Sequence, residues 1–129
     1  MAKITTTYDV RDAVLWGIFV TALEGGIGYW SEAISYNFSV PKPSGNEEDH
    51  VGFSAQIIEI DDPDQNTHRI DREVILRGLT KALSADPGVA DHIVFDARRE
   101  VGLGDGGYLD AEGADAIVQL GLFNELVYG

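Results

Sequence analysis

The residues best suited to chemistry sit in one hexapeptide, Gly25-Gly26-Ile27-Gly28-Tyr29-Trp30. Gly25, Gly26 and Gly28 let backbone approach a ligand closely, and the adjacent aromatics Tyr29 and Trp30 offer stacking surfaces. In a strand, Tyr29 and Trp30 would point to opposite faces, so one at most would line a given pocket. The same run also reads as structure alone: glycines close a helix in a left-handed cap, and a strand follows whose Trp fills the core. Glu32 is a carboxylate on an otherwise apolar strand face. Burial there would favour its protonated form and make it a proton donor. An exposed strand start, or an arginine partner, is the plainer alternative.

Asp62, Asp64, Asn66 and Glu73 fall at positions 1, 3, 5 and 12 of a calcium-loop pattern. The pattern fails where geometry is strictest. Thr67 replaces the glycine of the sharp turn, Arg69 replaces an apolar residue, and a strand rather than a helix precedes it. The expectation is an acidic turn and no metal. Gly102-Leu103-Gly104-Asp105-Gly106-Gly107 has the glycine density of a phosphate loop but no following Lys-Ser/Thr, and Asp105 would repel phosphate. His50, His68 and His92 lack paired ligand spacing, no serine sits in a nucleophile elbow, and cysteine is absent. The residues assemble no catalytic constellation and call for no cofactor.

These candidates must be held by ordinary globular elements. The chain has 129 residues, 44% hydrophobic and 24% charged, which fits one domain over residues 1–129. No apolar stretch reaches the ~18 residues of a membrane span, and no secretory leader is evident. A helix is expected over Tyr8–Glu24, capped by Thr7 or Asp9, with Val10, Val14 and Ile18 recurring every four residues. Tyr29–Val40 and Val51–Ile60 alternate as two strands of an antiparallel hairpin, with Ile34, Tyr36 and Phe38 against helices or a second subunit. Asp61–Asn66 reads as a turn. Helices follow over Asp71–Ser84 (N-cap Asp71, with Ile70 stapled onto Ile75), over Val89–Glu100, and from Leu109-Asp110 onward. In the last helix Ala114, Ile117, Val118, Gly121, Leu122 and Leu126 face inward. Glycines 17, 78, 113 and 121 lie inside helical patterns, where close approach of packed elements would explain them. The fold class is α+β, an antiparallel hairpin packed with about four helices in the order α-β-β-α-α-α. So small a hairpin needs helices on its apolar face or a second copy of the chain, and a homodimer would supply the latter.

Nine bases face 22 acids, giving a net charge of −13. Direct binding to nucleic acid or to an anionic membrane is disfavoured, and basic partners are steered in. Residues 41–70 and 101–129 each carry −5. The first stretch supplies an acidic surface of Glu47, Glu48, Asp49, Asp61, Asp62 and Asp64, which could share a face with Asp105, Asp110 or Asp115.

The helix end and GGxxYW signature at residues 21–30 resemble a group of small acidic proteins of tailed bacteriophages, especially those of actinobacteria. The stretch Leu109-Asp110-Ala111-Glu112, then Ala114–Gln119, and the ending Leu126-Val127-Tyr128-Gly129 are similar to the end of the same proteins. That resemblance implies a phage accessory protein of the host cytoplasm and carries over no catalytic residue. The resulting expectation is a non-enzymatic protein that uses its acidic surface to bind and antagonise a basic bacterial host protein, such as a defence or nucleic-acid enzyme. The alternative is a small-ligand binder, of nucleotides for example, that uses the GGIGYW turn and borrows positive charge from Arg69, Arg72 and Arg77.

Overall fold

The computed structural model describes residues 10–37, 52–84, 88–103 and 109–129. In chain order they form α1 (Asp12–Thr21), one π turn (Ala22–Gly26), β1 (Ser31–Asn37), β2 (Ser54–Glu59), β3 (Thr67–Asp71), α2 (Arg72–Leu83), α3 (Asp91–Leu103) and α4 (Ala111–Phe123). The architecture is α+β, with a three-stranded antiparallel sheet in the order β1-β2-β3. Among the described residues no helix is long and apolar enough to cross a membrane.

The expected pairing of the first two strands is present, with Ser31 opposite Glu59 and Asn37 opposite Ser54. A third strand was not anticipated. Residues Thr67–Asp71 return beside β2 and place Ile70 opposite Ala55 and His68 opposite Ile57. The order is therefore α-β-β-β-α-α-α. β2 sits in the middle of the sheet, and its Ala55 and Ile57 are buried with Phe53 and Ile70. α2 and α4 pack over β3, and β1 lies at the opposite edge of the sheet, which no helix covers among the described residues. This is why Ile34 and Tyr36, expected against helices or a second subunit, are not covered by helices and are 55% and 63% exposed within the single chain. A bulge between Ala33 and Ser35 also breaks the alternation on which that expectation rested. Phe38, Val40 and the 41–50 loop lie outside the described residues.

The helices follow their sequence signals closely at α2. Asp71 caps it by accepting from the Val74 N–H at 3.1 Å, and Ile70 and Ile75 on either side are fully buried. α1 begins at Asp12, with Arg11 as an N-cap that makes no side-chain cap bond. Asp12 instead ties α1 to α2 by accepting from Arg72 Nε at 2.6 Å. α4 is capped by Asp110, whose carboxylate accepts from the Gly113 N–H at 2.9 Å. It stops at Phe123 because Asn124 turns left-handed at φ 63°. Leu126, expected on the inward stripe, lies beyond that stop and is exposed.

The densest packing is between α2 and α4. A Cβ built on Gly78 would stand 1.9 Å from the Ile117 carbonyl oxygen, and one on Gly121 would stand 2.1 Å from that of Val74. The two backbones therefore touch, and glycine is required on both helices. Gly17 has no such role, since its Cβ would meet nothing within 4 Å among the described residues.

Candidate functional site

The GGIGYW turn joins α1 to the sheet differently from a left-handed cap. None of its glycines has a positive φ. α1 runs on into the π turn, closed by the Ile27 N–H on the Ala22 carbonyl at 3.0 Å. Insertions of this kind recur at functional sites in helices. Gly26 is needed for proximity, because its Cβ would lie 2.9 Å from the Ala111 carbonyl oxygen of α4. Gly28 is exposed with nothing within 4 Å of its Cβ position, so no packing contact explains it.

Tyr29 and Trp30 precede β1 and lie in a turn, so they are not held to opposite faces. Both converge on one carboxylate of α4. Tyr29 Oη donates to Asp115 Oδ2 at 2.6 Å, and Trp30 Nε1 donates to Asp115 Oδ1 at 2.8 Å. Gln119, one helical turn on, donates its Nε2 to the same Oδ1 at 2.9 Å. Its Oε1 accepts from the Val127 and Tyr128 N–H groups, each at 2.8 Å. The C-terminal segment is thereby pinned back along α4. Tyr128 stacks on the buried Trp30 ring with centroids 5.0 Å apart and 6° between planes. The Tyr128 hydroxyl donates to Glu59 Oε1, and His68 Nε2 lies 2.9 Å from Glu59 Oε2.

These bonds set the local acidities. Burial of the hydroxyl, then its bond to Asp115 and that carboxylate's charge, push Tyr29 up to about 12. The Glu59 bond does the same first for Tyr128, which also reaches about 12. Glu59 is in turn held below the usual carboxylate range by the Tyr128 hydroxyl and by His68.

Between the turn, α4 and the start of α3 lies a cleft of about 430 Å³. Gly25, Gly26 and Tyr29 form one wall, and Glu112, Asp115 and Gln119 another. Of the aromatic pair only Tyr29 lines it; Trp30 stands behind, in the core. The arginines that a nucleotide would need are elsewhere. Arg69 contacts Asp71, Arg72 contacts Asp12 and Glu73, and Arg77 donates to the Gly121 carbonyl from a separate groove.

The other sequence candidates are not brought to this cleft. Glu32 is exposed on β1 opposite Ile58, so no burial makes it a proton donor. Glu47, Glu48 and Asp49, with Asp105, lie outside the described residues. Asp61, Asp62 and Asp64 form the turn between β2 and β3, next to Ile60, which is 54% exposed. Asp62 holds that turn: its two carboxylate oxygens accept from the Asp64 and Asn66 N–H groups, both at 2.9 Å. Those bonds, that from Asn66 first, keep its carboxyl below the ordinary range. Asp115 cannot join this acidic surface, because it is 8% exposed and committed to the turn.

The sequence reading named Asp115 only for the acidic surface, and it missed both Asp115 and Gln119 as partners of the turn. The available signal was a pair of polar residues one turn apart within the apolar run Gly113–Gly121, every residue of which is buried. Comparison with family models, curated proteins and solved structures finds no match for this chain.

Proposed function

We propose that this is a non-enzymatic binding protein that docks on a basic protein partner and antagonises it. The observation that carries the reading is the turn between β2 and β3. Asp61 and Asp64 point into solvent beside the exposed Ile60, on a turn locked by Asp62, and among the described residues no ion pair neutralises any of the three aspartates. A rigid acidic knob with an apolar centre suits a basic surface bearing a shallow apolar hollow, with charge speeding encounter and the apolar contact slowing release. The polar groups of the GGIGYW turn are meanwhile spent on Asp115, which supports a structural role for Trp30 over catalysis. The resemblance of the GGxxYW signature and the C-terminal stretch to small phage proteins supports a bacterial host protein as the partner and the host cytoplasm as the place of action.

The test is affinity capture from bacterial lysate followed by kinetics on the captured partner. Asp61→Asn with Asp64→Asn should slow association, as should raising salt toward physiological strength, where screening acts over about 8 Å. Ile60→Ala should mainly speed dissociation. A partner whose association rate ignores both salt and the double substitution refutes the acidic-turn mechanism.

A further inference from the structure

The cleft beside Tyr29 carries an imbalance of charge. Asp115 is more than nine-tenths buried, yet its carboxylate is met by the Tyr29 hydroxyl, the Trp30 indole and the Gln119 amide, all neutral donors. Buried charges are ordinarily paired with an opposite charge. Among the described residues no lysine, arginine or histidine lines the cleft. Glu112 adds a second carboxylate at the rim, with His92 Nε2 3.4 Å from its Oε1 and both side chains well exposed. The Tyr29 oxygen has given its hydrogen to Asp115 and accepts from Gln119 Nε2 at a long 3.4 Å, which leaves it one further lone pair as an acceptor at the cleft wall. The polar lining is thus rich in acceptors and negative charge. The rest is apolar, with Ile93, Ala116 and Leu126 among it.

We infer that the cleft binds an organic monocation, an ammonium or guanidinium group on an apolar stem, with the cation near Asp115, Glu112 and the Tyr29 oxygen and the stem against Ile93, Ala116 and Leu126. The volume is in the range of small-ligand pockets, about 300–1,000 Å³. The Tyr29 ring, 57% exposed, offers its face to the cation as well. The same chemistry arrives as a free amine or as an arginine or lysine side chain of a protein. The inference is independent of the acidic turn between β2 and β3, and loss of that turn's charges leaves the cleft intact.

The experiment is a titration of the isotopically labelled protein at physiological salt, following the Gln119 side-chain amide and the Tyr29 backbone amide. The probes are phenethylamine, n-butylguanidine and an acetyl-Gly-Arg-Gly-amide peptide, with phenylethanol and AMP as neutral and anionic controls. Saturable shifts confined to the cleft with the cations, and absent with both controls, support the site. Shifts with the two small cations and not the peptide identify a site for a free small cation, shifts with the peptide alone identify a docking point for a protein's side chain, and shifts with all three show that the cleft takes the cation from either source. Glu112→Gln should weaken binding about 2- to 5-fold, as expected for an exposed charge. Tyr29→Phe should weaken it about 2- to 10-fold, on the scale of one hydrogen bond. Asp115→Asn, if its spectrum remains that of a folded protein, should lose about 30-fold or more. Responses to phenylethanol equal to those of phenethylamine overturn the proposal. So does tighter binding of AMP, or an affinity unmoved by both Glu112→Gln and Tyr29→Phe.

Discussion

Replacing Gly78 with alanine adds one methyl group where there is no room. The new Cβ would stand 1.9 Å from the Ile117 carbonyl oxygen and 2.8 Å from its carbon. Both atoms are backbone, so no side chain can swing away. Restoring even a 3.0 Å contact requires α2 and α4 to part by about 1 Å. Such a gap forfeits roughly a quarter to a half of each dispersion contact across it. The contacts at stake belong to Val74, Ile75, Leu79, Ile117 and Val118, all buried. The cost falls at the upper end of overpacking, about 3 kcal/mol, and alanine's better helix propensity offsets about 1 kcal/mol of it. Gly78→Ala should therefore lose about 2 kcal/mol net. For a chain of this size that lowers Tm by roughly 6–10 °C. Gly17→Ala is the matched control, in a helix interior where the methyl meets nothing within 4 Å among the described residues. It should gain up to about 1 kcal/mol. Urea unfolding followed by tryptophan fluorescence reads both midpoints. If Gly78→Ala is as stable as the parent, the two backbones do not touch as described, and the packing account of the core is wrong.

Asp71→Ala removes the α2 cap and should cost about 1 kcal/mol, read as a lower urea midpoint with an unchanged slope. Tyr29 and Tyr128 both lie near 12 in the folded protein, against about 10 unfolded. The native state therefore holds these protons more tightly, so their contribution is complete below pH 10 and is lost as pH rises from 10 to 12. Urea midpoints measured across that window should fall, and the fall should be shallower in Tyr29→Phe or Tyr128→Phe. Millimolar calcium should leave Tm unchanged, because both Asp62 oxygens are already engaged by backbone N–H groups; a rise in Tm would mean that the turn opens to bind the ion.

The elements set by local rules were legible in the sequence, and those set by distant partners were not. Asp71 announces α2 because a cap bonds only three residues ahead. The pairing of β1 with β2 follows from alternation. β3 escaped because Thr67-His68-Arg69-Ile70 carries a single aliphatic residue, and what makes it a strand is the ladder supplied by β2. Glycines 78 and 121 could be recognised as misplaced in helices, but not as each lying against the other helix. The candidate site was half visible. The turn with Tyr29 stood out by composition, whereas its counterpart Asp115 lies 86 residues away and looks like any acid on a helix. β1 misled for a related reason: periodicity reveals that a strand has two faces, but not whether the helices reach either, and from Glu32 to Asn37 both faces are exposed.

Trp30 also bears on how the chain is made. Its indole is bonded by Asp115 and covered by Tyr128, so its place in the core is complete only after residue 128 has emerged from the ribosome. At roughly 5–20 residues per second, the interval from residue 30 to residue 128 lasts on the order of 5–20 s. Throughout that interval a large apolar ring stands without its eventual cover. Nascent chains halted between residues 59 and 115 would therefore present the Trp30 ring, recognisable by chaperones, that the finished protein conceals.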